Sequence, residues 1–452
     1  MNDLIQSMVA KSKVAQKEFE KFNQEQVDII VKEIAKFVYD NAEELARMGY
    51  EETAMGVYED KVKKNQGKAS IIWNHLKDKK TVGILSYNEK TGVVEIARPM
   101  GVVGAITPCT NPVVTPMANC MAALKCRNSV IISPHPRSKR TAKYLVDSFS
   151  KVIAKHGSPE NLIQVIEEPT IDLSVELMRQ VDVVVATGGM GVVKSAYSSG
   201  KPAYGVGAGN VQCIIDQGVD LKEVIPKVVA GRIFDNGIIC SGEQTIIVHE
   251  NDYAEVIKEL KINGAHFVDN PTEREKIISA LFPNGVMNKN LVGVSADKVA
   301  ETAGITVPEG TKAIVVEAEG YGTSSLLSKE KMCPIISSYK YKSFQEAVDI
   351  AVANLEVEGK GHSVSIHSNN KENIEYAAGI VPVSRVLINQ ICATMNGGSY
   401  FNGFAPTTTL GCGSWGNNSI SENFDYKHLM NITRIGYYLK DAKVPTTDEL
   451  WG

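Results

Sequence analysis

Apolar residues recur at three- and four-residue spacing through the first 65 positions, as in Val27, Ile30, Val31, Ile34, Phe37 and Val38, within a background of Lys, Glu, Gln and Ala. That period gathers them on one face, so two or three amphipathic helices covering another layer are predicted. Across 80–99 the pattern shortens to alternation about a turn at 88–92, the mark of a β-hairpin. A polar hairpin between helical segments leaves an edge that pairs with another subunit or with a strand of its own chain.

From Gly101 onward short apolar runs alternate with longer helical ones. Strands are predicted at 101–107, 129–133, 162–166 and 181–185, with helices at 112–127, 139–156 and 173–180. This alternation builds a parallel sheet with helices on both faces, and its ligands sit beyond the carboxyl ends of the strands. Those ends are the turns at 107–112, 133–137, 187–191 and 205–210. The Gly188, Gly189 and Gly191 turn opens a helix and lets backbone amides approach a phosphate. Val193 before Lys194 excludes a P-loop.

A helical run at 221–234, carrying Val224, Ile225, Val228, Val229 and Ile233, leads to a stop at Gly237 and a β-branched run at 245–248. Cys240 lies in that connection beside Asn236, Ser241 and Gly242, as a candidate nucleophile or a small buried thiol. Further helices are predicted at 253–260, 272–280 and 344–353, and strands at 312–317, 335–339 and 362–367. The Gly- and Asn-rich stretch 396–418 is aperiodic and reads as a loop system that lines a pocket or forms a turn assembly.

Composition narrows the chemistry. At 452 residues two or three domains are expected. A net charge of -4 without long single-sign runs disfavours nucleic acid and anionic membranes as partners and leaves small molecules. The eight cysteines form no CxxC pair and no zinc-type cluster, so no metal site is expected. With no secretory signal they read as reduced thiols of a cytoplasmic protein. No run approaches the roughly 18 apolar residues of a membrane span.

Six segments in order carry a resemblance: SPHPRSK from Ser133, ATGGMGVVKSAYSSGKPAYGVGAGN from Ala186, FDNGIICSGEQ from Phe234, EKMCPI from Glu330, EGKGHSVSIHS from Glu358 and TLGCGSWGNNSISEN from Thr409. Together they resemble the CoA-acylating branch of the aldehyde dehydrogenase superfamily. Its nearest members in pattern are the CoA-dependent succinate-semialdehyde dehydrogenases and the aldehyde dehydrogenase half of bifunctional aldehyde-alcohol dehydrogenases. The resemblance implies an α/β fold with a Rossmann-type cofactor domain at 1–80 and 98–236 and an α/β catalytic domain at 237–435. It also implies an oligomerisation hairpin at 81–97, joined by about 436–452, and hence a homodimer or homotetramer.

By the same resemblance Cys240 attacks an acyl-CoA thioester, expels CoA and holds an acyl-enzyme that hydride reduces to an aldehyde. The Cys240 N–H with Asn111 or Thr110 would stabilise the oxyanion, and His362 would act as acid or base or orient CoA. Gly188, Gly189, Gly191 and Gly207 match cofactor turns, as do Thr107 and Pro108, while Glu330 matches the glutamate on the nicotinamide-side ribose. Ser133, His135, Arg137 and Lys139 match the adenosine end, and Pro136 stands where NAD-preferring relatives carry Glu. NADP(H) is therefore expected over NAD(H), with coenzyme A as co-substrate.

Val206 stands where the hydrolytic branch has its general-base Glu, which favours acyl transfer to CoA over hydrolysis. The expected reaction is succinyl-CoA to succinate semialdehyde, with acetyl-CoA to acetaldehyde as the alternative. A hydrolytic enzyme would need a carboxylate such as Glu243, and a non-catalytic assembly protein would not need Cys240. Arg385 and His367 receive no role; His367, five residues along the strand, points to the face opposite His362. A chain that ends at Gly452 without an alcohol dehydrogenase half is expected to release its aldehyde.

Overall fold

The computed structural model describes residues 2–452. Four helices open the chain: α1 (Asn2–Phe19), α2 (Gln24–Asp40), α3 (Ala42–Thr53) and α4 (Tyr58–Leu76). The start of α2 is fixed by a reciprocal cap, with the Gln26 N–H donating to Asn23 Oδ1 and the Asn23 N–H to Gln26 Oε1, both at 3.0 Å. Its buried face is Val27, Ile30, Val31, Ile34 and Val38, as the spacing requires. The fourth helix exceeds the two or three expected. Its buried face mixes Lys61 and Asn65 with Ala69, Ile72 and Leu76, so hydrophobic period alone does not reveal it.

Fifteen strands follow: β1 (Gly83–Asn88), β2 (Val93–Pro99), β3 (Val102–Thr107), β4 (Ser129–Pro134), β5 (Ile163–Val165), β6 (Val183–Thr187), β7 (Ala203–Val206), β8 (Val211–Ile215), β9 (Glu243–His249), β10 (Ala265–Val268), β11 (Ala313–Glu317), β12 (Ile335–Tyr341), β13 (Gly361–His367), β14 (Val383–Ile388) and β15 (Met430–Gly436). They form a five-stranded sheet in the order β5-β4-β3-β6-β7 and a seven-stranded sheet in the order β10-β11-β12-β9-β8-β13-β14. Both are parallel throughout.

The five-stranded sheet is buried on both faces, which is why its strands read as unbroken apolar runs. Val103, Val130, Val183 and Val185 face a core shared with α2, α5 (Val114–Lys125) and α6 (Lys139–Ala154). Val102, Ile131, Val184 and Ala186 face the opposite core, with Ile5 and Val9 of α1 and Leu173 and Leu177 of α7 (Ile171–Gln180). Two side chains one residue apart, Val184 and Val185, thus serve different layers.

Two expected boundaries shift. β8 pairs with β9 and β13, so it and α9 (Leu221–Ile233) belong with the seven-stranded sheet. The division between the sheets therefore falls between β7 and β8 rather than at 236/237. The two strands at the crossing, β7 and β8, are both short and mostly apolar, so no change of composition marks it. The hairpin forms as expected, and β15 pairs antiparallel along β2 from Met430 opposite Pro99 to Gly436 opposite Val93. Residues 430–435 thus join the hairpin sheet, in the order β1-β2-β15, instead of the second unit. Among the described residues no helix is long and apolar enough to cross a membrane.

Candidate active site

The nucleophile loop is shaped by backbone that few side chains tolerate. α9 stops at Ile233, four residues before Gly237, and both Asp235 and Asn236 take left-handed φ values of 52°. Asp235 is held there by its carboxylate, which accepts the Val57 N–H at 2.8 Å and lies 3.1 Å from Lys61 Nζ and 2.5 Å from Lys64 Nζ. The buried Arg232 guanidinium ties the turn down, donating to Gly237 O at 3.2 Å and Cys333 O at 2.9 Å. Cys240 follows. A Cβ on Gly209 would stand 2.0 Å from the Cys240 carbonyl, so glycine is what lets the 205–210 turn lie against the loop.

His362, fully buried on β13, places Nε2 3.3 Å from Cys240 Sγ. Burial, and then the neighbouring Arg385, lower the imidazole to about 3. The thiol is pushed up to about 12 by burial, then by Glu330 and Cys412. The resting pair is therefore neutral: in the tautomer with its single ring proton on Nδ1, which has no protein partner, the imidazole offers Nε2 as acceptor to the S–H. Because the thiol is raised, its thiolate fraction should grow about tenfold per pH unit between about pH 7 and 10. The iodoacetamide alkylation rate of the Cys240 peptide, followed by mass spectrometry, should rise in step. A plateau already reached below pH 7 would reveal a preformed thiolate–imidazolium pair and contradict this geometry.

Glu330 faces the same sulfur. Its Oε1 accepts the Gly209 N–H at 3.0 Å, and burial followed by Glu358 raises it to about 8. Near neutrality it keeps most of its proton, which spares a thiolate at Cys240 a full neighbouring charge.

Cys240 opens onto a cavity of about 340 Å³ that Asn111, Lys64, Lys68 and Tyr400 also line. Of the two oxyanion candidates, Asn111 reaches this cavity and Thr110 does not. Lys64 Nζ donates to Asn111 Oδ1 at 2.8 Å, which orients the amide so that its NH2 is the free end. Lys68 Nζ donates to the carbonyls of Gly397 at 2.9 Å and Thr407 at 3.2 Å and has no carboxylate partner among the described residues. Burial, and then Lys64, bring it down to about 8. The 396–418 stretch is a pocket wall, through Gly397, Tyr400, Phe401, Thr407 and Leu410.

Lys64, Lys68 and Asp235 had no place among the expected site residues. No motif marks the lysines at positions 61, 64 and 68, although their spacing does put them on one side of a helix. Glu243 lies in β9 and does not line the cavity; burial raises it to about 7, and its Oε1 accepts the Cys392 N–H at 2.6 Å. Arg385 is spent as a brace, donating to His362 O and Gly411 O, each at 2.8 Å. His367 is buried, with neither ring nitrogen partnered.

The turns matched to a dinucleotide lie beyond the carboxyl ends of β3, β4, β6 and β7 of the five-stranded sheet. Gly189 precedes α8 (Met190–Tyr197), and a Cβ on Gly189 or Gly191 would meet nothing within 4 Å. The backbone there is open, as close approach of a pyrophosphate needs. Gly207 packs beside Met190, and Thr107 ends β3 with Pro108 following it. The adenosine-end donors are less available than expected. The Ser133 hydroxyl is buried against Ser174 at 2.8 Å, and His135 Nδ1 accepts the Arg137 N–H at 3.1 Å. Arg137 Nη2 donates to Thr53 O at 2.7 Å, and Lys139 pairs with Glu168 at 2.5 Å.

Comparison with known proteins agrees with this arrangement. The aldehyde dehydrogenase family model matches residues 2–428. Over 99% of its length the chain is 53% identical to the succinate-semialdehyde dehydrogenase (acetylating) of Clostridium kluyveri, 99% of which is covered. It is 40% identical to a sulfoacetaldehyde dehydrogenase of Acholeplasma sp, over 99% of this chain and 94% of that one. The crystal structure of an acetylating aldehyde dehydrogenase from Geobacillus thermoglucosidasius superposes with a TM-score of 0.95 at 37% identity, covering 98% of each chain. With the fold, the cysteine loop and these full-length matches in agreement, the chain belongs to the aldehyde dehydrogenase family.

Proposed function

We propose that this chain is a CoA-acylating aldehyde dehydrogenase that reversibly reduces succinyl-CoA to succinate semialdehyde and CoA, with NADPH preferred over NADH. One observation carries the reading. Cys240, backed by His362 at 3.3 Å, opens onto a cavity lined by the Asn111 amide and the Lys68 ammonium and by no carboxylate.

The chemistry follows from those groups. As Cys240 attacks the thioester carbonyl, His362 takes the thiol proton and returns it to the departing CoA sulfur. The oxyanion forms between the Cys240 N–H and Asn111 Nδ2, and losing one such donor costs about 3 kcal/mol. A nicotinamide held at the cofactor turns would supply the hydride that reduces the acyl carbon. The resulting thiohemiacetal oxyanion expels the sulfur, the C–S bond breaks to release the aldehyde, and the Cys240 thiolate regains a proton from solvent by way of His362 Nε2. Water lacks the carboxylate base of the hydrolytic branch, because Val206 is apolar and buried and Glu243 lies outside the cavity.

The succinyl assignment rests on Lys68, a desolvated cation without a counter-charge that a distal carboxylate would supply. The name of the Clostridium kluyveri relative supports it, and the sulfoacetaldehyde relative also carries an anion at the far end of its substrate. The Geobacillus relative supports acetyl-CoA as the second reading.

Gly188, Gly189, Gly191 and Gly207 would hold the cofactor pyrophosphate and Glu330 the nicotinamide-side ribose, with Thr107 and Pro108 beside them. His135, Arg137 and Lys139 would serve the adenosine end. The 133–139 turn contains no carboxylate to repel a 2′-phosphate. Glu168, which pairs with Lys139, is 81% exposed; such surface pairs are worth at most about 1 kcal/mol, so Lys139 can be drawn to a phosphate. The exposed face of β1 and the exposed Tyr437, Tyr438 and Leu439 support assembly of a homodimer or homotetramer through the hairpin sheet.

Initial rates of NADPH and NADH oxidation with succinyl-CoA and acetyl-CoA test the reading. The expected result is a kcat/KM at least about tenfold higher for succinyl-CoA, with NADPH the better donor. Preference for acetyl-CoA would replace the substrate and leave the mechanism intact. A higher kcat/KM with NADH would overturn the cofactor preference.

A further inference from the structure

We propose that Lys64, held by Asp235, is a positioning residue of the oxyanion site that acts through the Asn111 amide. The inference rests on the reading of Asn111 as an oxyanion donor. The local charge balance motivates it. Asp235 is fully buried with two ammonium groups, Lys61 at 3.1 Å and Lys64 at 2.5 Å, while the nearby Asp60 has its own cation in Lys63 at 3.5 Å. One lysine neutralises one carboxylate, and desolvating a second is unfavourable unless its charge is used. The second is directed at Asn111, through the 2.8 Å bond from Lys64 Nζ to Oδ1.

A cation on an amide oxygen draws electron density from the nitrogen through amide resonance. The Asn111 Nδ2–H bonds then become better donors to a developing oxyanion at the same cavity wall. The backbone is arranged around this contact. Asp235 sits five residues before Cys240 at a φ of 52°, and a Cβ on Gly56 would stand 1.9 Å from Asp235 Oδ1 and 2.7 Å from Lys61 Nζ. Strained backbone of this kind persists where its neighbours hold it in place. The network also spans the two units, since Lys64 belongs to α4 and Asp235 to the turn after α9. The loop that carries the nucleophile and the amide that receives the oxyanion are thereby kept in mutual register.

A double-mutant cycle on the full-length protein tests this, read as kcat, KM for succinyl-CoA and the single-turnover acylation rate. Lys64→Met leaves the Lys61–Asp235 pair in place, so the fold has a balanced buried charge. Lys64→Met should lower kcat and the acylation rate about 30-fold with KM within about threefold, and Asn111→Ala should lower them roughly 100- to 1,000-fold. In the Asn111→Ala background Lys64→Met should cost less than about threefold more. An equal penalty in both backgrounds would overturn the proposal. So would a rise in KM with kcat retained, which would make Lys64 a direct substrate contact. Undiminished kcat in Asn111→Ala would instead sink the oxyanion reading beneath it. Asp235→Asn, which suits left-handed backbone and keeps an acceptor for the Val57 N–H, should show the same non-additivity and serves if Lys64→Met fails to fold.

Discussion

Cys240→Ala should abolish succinyl-CoA-dependent NADPH oxidation, with kcat lowered at least about 10,000-fold, as is seen when a covalent nucleophile is removed. The size of the effect follows from the absence of a substitute. The cavity contains no carboxylate to activate water, and the neighbouring cysteines Cys392 and Cys412 are buried and do not line it. Loss of one thiol should leave the fold intact, because its side-chain hydrogen bond is to His362 alone. The melting temperature should therefore stay within about 4 °C of the wild type. Stopped-flow rates and a thermal melt on the same preparation separate lost chemistry from lost structure. A correctly folded mutant that turns over at more than about 1% of the wild-type rate would mean that another group carries the acyl transfer.

Lys68→Met carries the second large effect, and it is selective. A charge-assisted hydrogen bond to the distal carboxylate is worth about 1.5–3 kcal/mol, so kcat/KM for succinyl-CoA should fall roughly 10- to 100-fold. Acetyl-CoA has nothing for the ammonium to bind, and its kcat/KM should change less than about threefold. The wild type should show the same dependence through pH. Lys68 is lowered to about 8 by burial and then by Lys64, so it is charged below that value and loses its charge as pH rises through it. The ratio of kcat/KM for succinyl-CoA to that for acetyl-CoA should therefore decline above about pH 8. Ionisation of Cys240 affects both substrates and cancels in the ratio. Equal losses with the two substrates would show that Lys68 only supports the Gly397 and Thr407 loop through its two carbonyl contacts.

The parts of this molecule that were legible in the sequence are those governed by local period and by contiguous motifs. Val27, Ile30, Val31, Ile34 and Val38 announce α2 by spacing, and the alternation about 88–92 announces the hairpin. Cys240 and His362 lie 122 residues apart, yet each sits in a recognisable segment, and the structure brings them to 3.3 Å. What was hidden depends on side chains meeting across the fold. Lys64 and Lys68 look like solvated charges on a polar helix until Asp235, Asn111 and the carbonyls of Gly397 and Thr407 are placed around them.

The sheet crossing between β7 and β8 was hidden for a different reason. A buried parallel strand looks the same in either sheet, so only pairing assigns Val211–Ile215 to its neighbours. For Arg137 and Lys139 the sequence shows charge and position but not their contacts within the chain. Their charge and position suit a phosphate, but Thr53 and Glu168 engage them within the chain.

Catalysis turns on a covalent acyl group on Cys240, and the most direct measurement is the intact mass of the protein mixed with succinyl-CoA in the absence of any nicotinamide. The predicted result is one succinyl group per chain, mapped to the peptide containing Cys240, stable on the timescale of many turnovers and removed by added CoA. Unmodified protein, a label on another residue, or steady release of free succinate would contradict it.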